Sequence, residues 1–193
     1  IQLYPFIIKP KFKKIHVSGS ENAISIKTKN EDVLIKIQDS KIDHIVHKDL
    51  NTNIEKSVFD PIKKLEIGEK TYQRNVSHYV LSGFNGKNQL RIGQTFHVGP
   101  GGTWSSLPHD FENYPEDNFE EFFFYLLNGG SGRAIQVGKG LWNDGTNVDS
   151  SWFVQDKTFS PIPMGYHPVV GEPNVNVSYI WAYLCLKEEW EKA

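Results

Sequence analysis

Apolar and polar residues alternate along residues 23–38: Ile24 and Ile26, a turn at Asn30-Glu31-Asp32, then Val33, Ile35 and Ile37. Period-two alternation on either side of turn residues predicts a half-buried hairpin. Residues 41–60 are less regular. The run SHYVLSGFNGKNQLRIGQTFHV (77–98) predicts two or three strands with a glycine-asparagine turn within 83–88. Gly99-Pro100-Gly101-Gly102 reads as a turn, because it opens no helix and lacks the Lys-Ser/Thr of a phosphate-cradling loop. Three strand runs follow. FEEFFFYLL (119–127) ends at Asn128-Gly129-Gly130, SSWFVQDKTFSPI (150–162) holds two short strands around Gln155-Asp156-Lys157, and VNVSYIWAYLCL (175–186) is the last. Only the tail KEEWEKA has a helical pattern, and it is too short to be stable alone.

Many short strands separated by Gly, Pro and Asn turns imply an all-β sandwich or barrel. A length of 193 residues suits one large domain, or a barrel with extra strands. The first part is rich in Lys and Ile, and the rest in Gly, Trp and Phe. The expected division is therefore a β-rich N-terminal extension over 1–70 and a barrel over 71–193.

Charge narrows the function classes. A net charge of −2 argues against a nucleic-acid binder with a broad basic face. The basic cluster Lys9, Lys11, Lys13 and Lys14 reads as a solvated strand edge. No apolar run approaches the roughly 18 residues of a membrane-spanning helix. The basic residues of the opening segment follow its apolar ones, the reverse of a secretory signal. With a single cysteine, Cys185, the chain has no intrachain disulfide and no cysteine-based metal cluster. Cys185 reads as a buried small hydrophobe. The expected setting is the reducing cytoplasm.

The histidines carry most of the candidate chemistry. His16, His44 and His47 lie in the Lys-rich part and read as surface residues; His78 and His97 fall in strands and read as core or cavity residues. His109 lies in Thr103-Trp104-Ser105-Ser106-Leu107-Pro108-His109-Asp110-Phe111-Glu112. Strand alternation puts Glu121, Phe123 and Tyr125 on one face of the aromatic strand and Glu120, Phe122 and Phe124 on the other. A carboxylate at the head of such a strand is costly to bury alone, so it is paired or binds a metal. His167 lies in Pro163-Met164-Gly165-Tyr166-His167-Pro168.

A His, a Glu opening an aromatic strand and a later Pro-x-Gly-x-His resemble the two metal-binding motifs of the cupin superfamily. GTWSSLPH, EEFFFYLL, SPIPMGYHPVV and YIWAYL resemble, more narrowly, the 5-deoxy-glucuronate isomerases of inositol catabolism. They resemble more distantly the 5-keto-4-deoxyuronate isomerases. The resemblance covers roughly residues 90–186 and implies a cupin (jelly-roll-type) barrel, with the N-terminal extension a reduced second cupin half. It implies a divalent metal (Zn, Mn or Fe) on His109, Glu121 and His167. The second histidine of the family's His-x-His pair falls on Phe111, so either a two-His-one-carboxylate set remains or the site has lost its metal. Asp110 or Glu112 is a candidate replacement oxygen.

Three functions are open on this reading. The first is aldose-ketose isomerisation of a deoxy-uronic acid. Glu112 and Tyr125 are then the catalytic candidates, and Trp104, Ser106 and Arg133 the substrate-binding ones. Each has a plainer reading too: Trp104 and Ser106 as turn and core, Tyr125 as packing and Arg133 as a solvated cation. Trp142 and Trp152 read as packing residues. The second function is sugar-acid binding without turnover. The third is another metal-dependent reaction, such as an oxygenase. The expected partners are a small-molecule sugar acid and further copies of the chain, with no nucleic acid and no membrane.

Overall fold

The computed structural model describes residues 12–81, 89–99, 104–105 and 120–184, and the backbone of the two-residue strand β1 (Gln2–Leu3). A five-stranded antiparallel meander follows β1: β2 (His16–Ser20), β3 (Ala23–Lys27), β4 (Glu31–Gln38), β5 (Lys41–Asp49) and β6 (Glu55–Val58). Its β3–β4 hairpin forms as the alternation predicts. Ile24 lies opposite Ile35 and Ile26 opposite Val33, all fully buried.

The weak alternation after residue 40 has a structural cause. The register slips between Lys36 and Ile37, and this irregularity puts Ile42 and Ile45, three positions apart, into the same core. The slip also corrects the reading of His47. It is completely buried, with Nε2 2.9 Å from Glu31 Oε1. Glu31 Oε2 accepts the backbone N–H groups of Gln89 and Leu90, at 3.1 and 3.2 Å. His16 is exposed as expected, and His44 pairs with Asp43 at the surface.

The remaining strands are β7 (Lys63–Ile67), β8 (Arg74–Val80), β9 (Leu90–His97), β10 (Glu120–Asn128), β11 (Arg133–Leu141), β12 (Asn147–Gln155), β13 (Thr158–Ile162), β14 (Met164–Tyr166), β15 (Val169–Gly171) and β16 (Asn176–Leu184). A seven-stranded sheet runs β1-β13-β10-β16-β9-β8-β7, and a smaller sheet runs β12-β11-β14, with β15 also on β11. The two pack face to face as the all-β cupin barrel that the sequence implies. Because β7 belongs to the large sheet, the change of sheet falls between Val58 and Lys63 rather than near residue 70. The N-terminal strands β2 to β6 form a plain meander, each beside its sequence neighbour. Among the described residues no helix is long and apolar enough to cross a membrane.

The large sheet is buried on both faces. Phe122, Phe124 and Leu126 of β10, with Ile180, Ala182, Leu90 and Ile92, share one core with the isoleucines of the meander. Phe123, Tyr125 and Leu127 point the other way and share a second core with Val154, Val169 and Trp152 of the smaller sheet and with Trp142 just after β11. Double burial explains why β10 reads as a continuous apolar run. Each fully buried phenylalanine contributes about 1.5–3 kcal/mol. Glu120, at the head of the meander-facing row, is held by backbone N–H groups of Lys13, Lys14 and Ile15 (2.6, 3.0 and 2.8 Å) and by Asn143. A carboxylate in such a nest of donors is a structural clasp between the entering chain and β10.

Candidate metal and sugar-acid site

Glu121 begins the inward row of β10, where alternation turns it from the clasp at Glu120 toward the barrel interior. It is 5% exposed, and burial pushes its carboxyl well above the usual carboxylate range. Among the described residues Glu121 Oε2 has no hydrogen-bond partner. The imidazole of His167 lies opposite it, with Nε2 3.8 Å from Oε2. That separation is too long for a hydrogen bond.

The local fold explains how His167 reaches this point. Gly165 lies opposite Gly140 where β14 crosses β11. A Cβ on Gly165 would stand 2.5 Å from the Lys139 carbonyl oxygen, and its φ of +109° suits glycine alone. The chain then brings His167 Nδ1 to 3.3 Å from the Pro163 carbonyl oxygen. A carbonyl only accepts, so Nδ1 donates to it, and Nε2 is turned toward Glu121. This is the backbone support that metal-binding histidines use to fix their tautomer. An imidazole nitrogen and a carboxylate oxygen then face each other, an arrangement that suits a proton or a cation between them. Both lie within reach of one ion at the usual ligand distances of about 2.0–2.2 Å, so these residues fit a divalent metal.

Gln136, which the sequence reading did not single out, anchors the arrangement. Completely buried on β11, it accepts the Tyr125 hydroxyl (2.7 Å) and donates to the carbonyls of His167 (2.7 Å) and Pro168 (3.1 Å). Its sequence signal is a lone amide at an inward position between Ala134 and Gly138. Gln136→Ala is expected to cost about 1–3 kcal/mol, since it removes the amide that accepts from a buried phenol and donates to the His167 carbonyl. A urea unfolding curve with an unchanged midpoint would contradict this.

The expected residues fall into three groups. Glu121 and His167 are brought together, and Tyr125 lies on the same inward row, committed to Gln136, with burial pushing its phenol well above its ordinary range. Trp104 is anchored beside His167: its indole donates to the Tyr166 hydroxyl (2.8 Å), and its neighbour Ser105 accepts from Val169 N–H (2.8 Å). Arg133, by contrast, is turned outward by the alternation of β11, ion-paired with Glu172 at 2.9 Å and stacked over Phe153. Trp142 and Trp152 pack, as expected. His109, Ser106, Asp110, Phe111, Glu112 and Cys185 lie outside the described residues. Among the described residues no group of three His, Cys, Asp or Glu converges as a metal site.

The model of the KduI/IolB family matches residues 22–193 of this sequence. The chain belongs to the KduI/IolB family. Proteins called 5-deoxy-glucuronate isomerase are similar to it. One from Bacillus subtilis subsp. natto is 37% identical over 82 residues, covering 40% of this chain and 29% of that protein. One from Geobacillus kaustophilus is 29% identical over 117 residues, covering 58% of this chain and 40% of that protein. The matched stretches thus span less than half of these KduI/IolB relatives. In fold the chain is similar to the crystal structure of an IolB-like protein from Salmonella typhimurium LT2 (TM-score 0.52, 16% identity), covering 92% of this chain and 73% of that one.

Proposed function

We propose that this protein is a divalent-metal-dependent ketol-isomerase of the cytoplasm that acts on a deoxy-uronic acid such as 5-deoxy-glucuronate, a step of inositol catabolism. The observation that carries the reading is the pair formed by Glu121 Oε2 on β10 and His167 Nε2 in the β14–β15 connection, 3.8 Å apart in a KduI/IolB-family chain. Glu121, His167 and the motif residue His109 would hold the ion. Ser105, four residues before His109, is fixed to Val169, two residues after His167. This tie supports placing His109 third. When bound, the metal supplies Lewis acidity toward the carbonyl and hydroxyl oxygens of the substrate.

The rest falls to the chain. Isomerisation removes a proton from the carbon that bears the hydroxyl and returns one to the neighbouring carbonyl carbon. That requires a positioned acid/base, and Glu112 is our candidate. Tyr125 acts as a support for Gln136 and the His167 backbone, because its hydroxyl is already donated. Phe123, stacked on Tyr179 at 4.4 Å and edge-on to His167 at 5.6 Å, keeps water from the Glu121 side.

The test is metal content together with isomerisation of 5-deoxy-glucuronate followed by NMR. Wild type is expected to carry metal and turn over, while His109→Ala and His167→Ala each lose both. A variant that keeps full activity with no metal would refute the mechanism. A second reading, sugar-acid binding without turnover, is favoured by Phe111 at a position where the family has a ligand. Wild-type metal below about a tenth of an equivalent would select it.

A further inference from the structure

The inward face of the large sheet carries more than the metal pair. On β9, the residues at 90, 92 and 94 face the meander, where Leu90 and Ile92 join its core and Gln94 bonds to the backbone of Ile42 and Ser40. Alternation therefore turns Arg91, Gly93 and Thr95 inward. Arg91 is 8% exposed and lies in the same cross-strand row as Glu121: Glu121 pairs with Tyr183 on β16, and Tyr183 with Arg91. Two strand spacings separate Glu121 from Arg91, roughly 10 Å between their backbones.

In the next row Trp181 lies across Gly93, where an added Cβ would be 2.2 Å from its ring. Its indole N–H is tied to Thr95 (3.1 Å), and His78 stands edge-on to it at 5.2 Å. Burial, then Lys63 and Arg91, hold the His78 imidazole below its ordinary range, as expected beside fixed positive charge. The inward surface thus runs from a carboxylate-imidazole pair at one end, over a flat indole, to the Arg91 guanidinium and the His78 imidazole at the other.

We propose that Arg91, flanked by His78, is the residue that receives the substrate's carboxylate and so selects a uronic acid over a neutral sugar. A guanidinium stays charged at physiological pH, and its planar fork matches a carboxylate bidentately. A sugar acid with its carbonyl end at Glu121 and His167 extends its acid end across Tyr183 toward Arg91. This assigns to an inward arginine the role that sequence suggested for Arg133, which faces outward.

The inference rests on the uronate reading above, and the experiment separates the two. Wild type, Arg91→Met and Arg91→Lys are compared in isomerisation of 5-deoxy-glucuronate, and in calorimetric binding of glucuronate and its uncharged methyl ester. Arg91→Met is expected to raise KM roughly ten- to a hundred-fold, the loss of one charge-assisted contact, with kcat little changed. It should also erase the preference for glucuronate over the ester, and Arg91→Lys should recover part of both. An Arg91→Met protein with wild-type KM and preference overturns the inference while leaving the isomerase reading intact. So does one whose turnover falls while the preference persists, since that marks a merely structural arginine. A wild type without turnover, but with an Arg91-dependent preference for glucuronate, overturns the isomerase reading and upholds the anion site. A wild type that neither turns over nor prefers glucuronate overturns both.

Discussion

Stripped of metal, Glu121→Gln is expected to melt at a higher temperature than wild type at pH 8, and to take up no divalent ion. The cause is the desolvation of a buried carboxyl. A folded-state pKa raised above its unfolded value gives stability that is complete below about pH 4.3 and is lost as pH rises through the folded value. Wild type therefore loses stability across that window, and the glutamine variant, which does not titrate there, keeps it. Each pKa unit of elevation is worth about 1.4 kcal/mol, or a few degrees of Tm at about 2–4 °C per kcal/mol for a domain of this size. The difference should shrink toward zero near pH 4. Metal reverses the order, because an ion at about a hundred times its Kd stabilises only the protein that binds it, by about 2.7 kcal/mol. Melting curves from pH 4 to 8, with and without metal, read all of this. A metal-free variant less stable than wild type at pH 8 would mean that Glu121 has a partner the desolvation argument leaves out.

Glu31→Ala is expected to be the most destabilising single change in the meander. Glu31 meets His47 in a site where both side chains are essentially inaccessible (1% and 0%), and it also accepts the N–H groups that begin β9. Removing one member of a buried pair leaves its partner unsatisfied and costs about 3–5 kcal/mol. That is a large share of the 5–15 kcal/mol that holds a typical domain. Denaturant unfolding should show the loss as a lowered midpoint, and Glu31→Gln, which keeps an acceptor, should lose less. A change below about 1 kcal/mol would show that this pair contributes little.

The two predictions concern carboxylates of unequal legibility. Glu121 could be placed from sequence because β10 alternates cleanly and its motif wording is distinctive. Glu31 and His47 could not, because the register irregularity after Lys36 breaks the alternation that assigns faces. The barrel class, the hairpin at 23–38 and the two faces of β10 were legible, since each depends on local periodicity. β11 was not read as a strand: RAIQVGKGL lacks a strong apolar alternation, its inward positions being Ala134, Gln136 and Gly138. The same small and polar residues make it the strand that supports His167. Arg91 was missed for a related reason. On a strand buried on both faces almost every position is inaccessible, and only the pairing partners tell which side a residue joins. Of the expected metal site, the Glu121–His167 half is on described residues, whereas His109 and Phe111 are not.

The layer of meander strands behind β10 has a consequence for how copies of the protein can meet. The flat aromatic and aliphatic side on which a bare barrel would stack against its twin is already occupied within the same polypeptide, with Phe122, Phe124 and Ile180 sealed against isoleucines of residues 15–45. That side of the barrel is therefore closed to a second copy by residues of its own chain. Cutting away residues 12–58 would strip that cover and expose a broad adhesive side, so the fragment should clump rather than persist as a smaller working barrel.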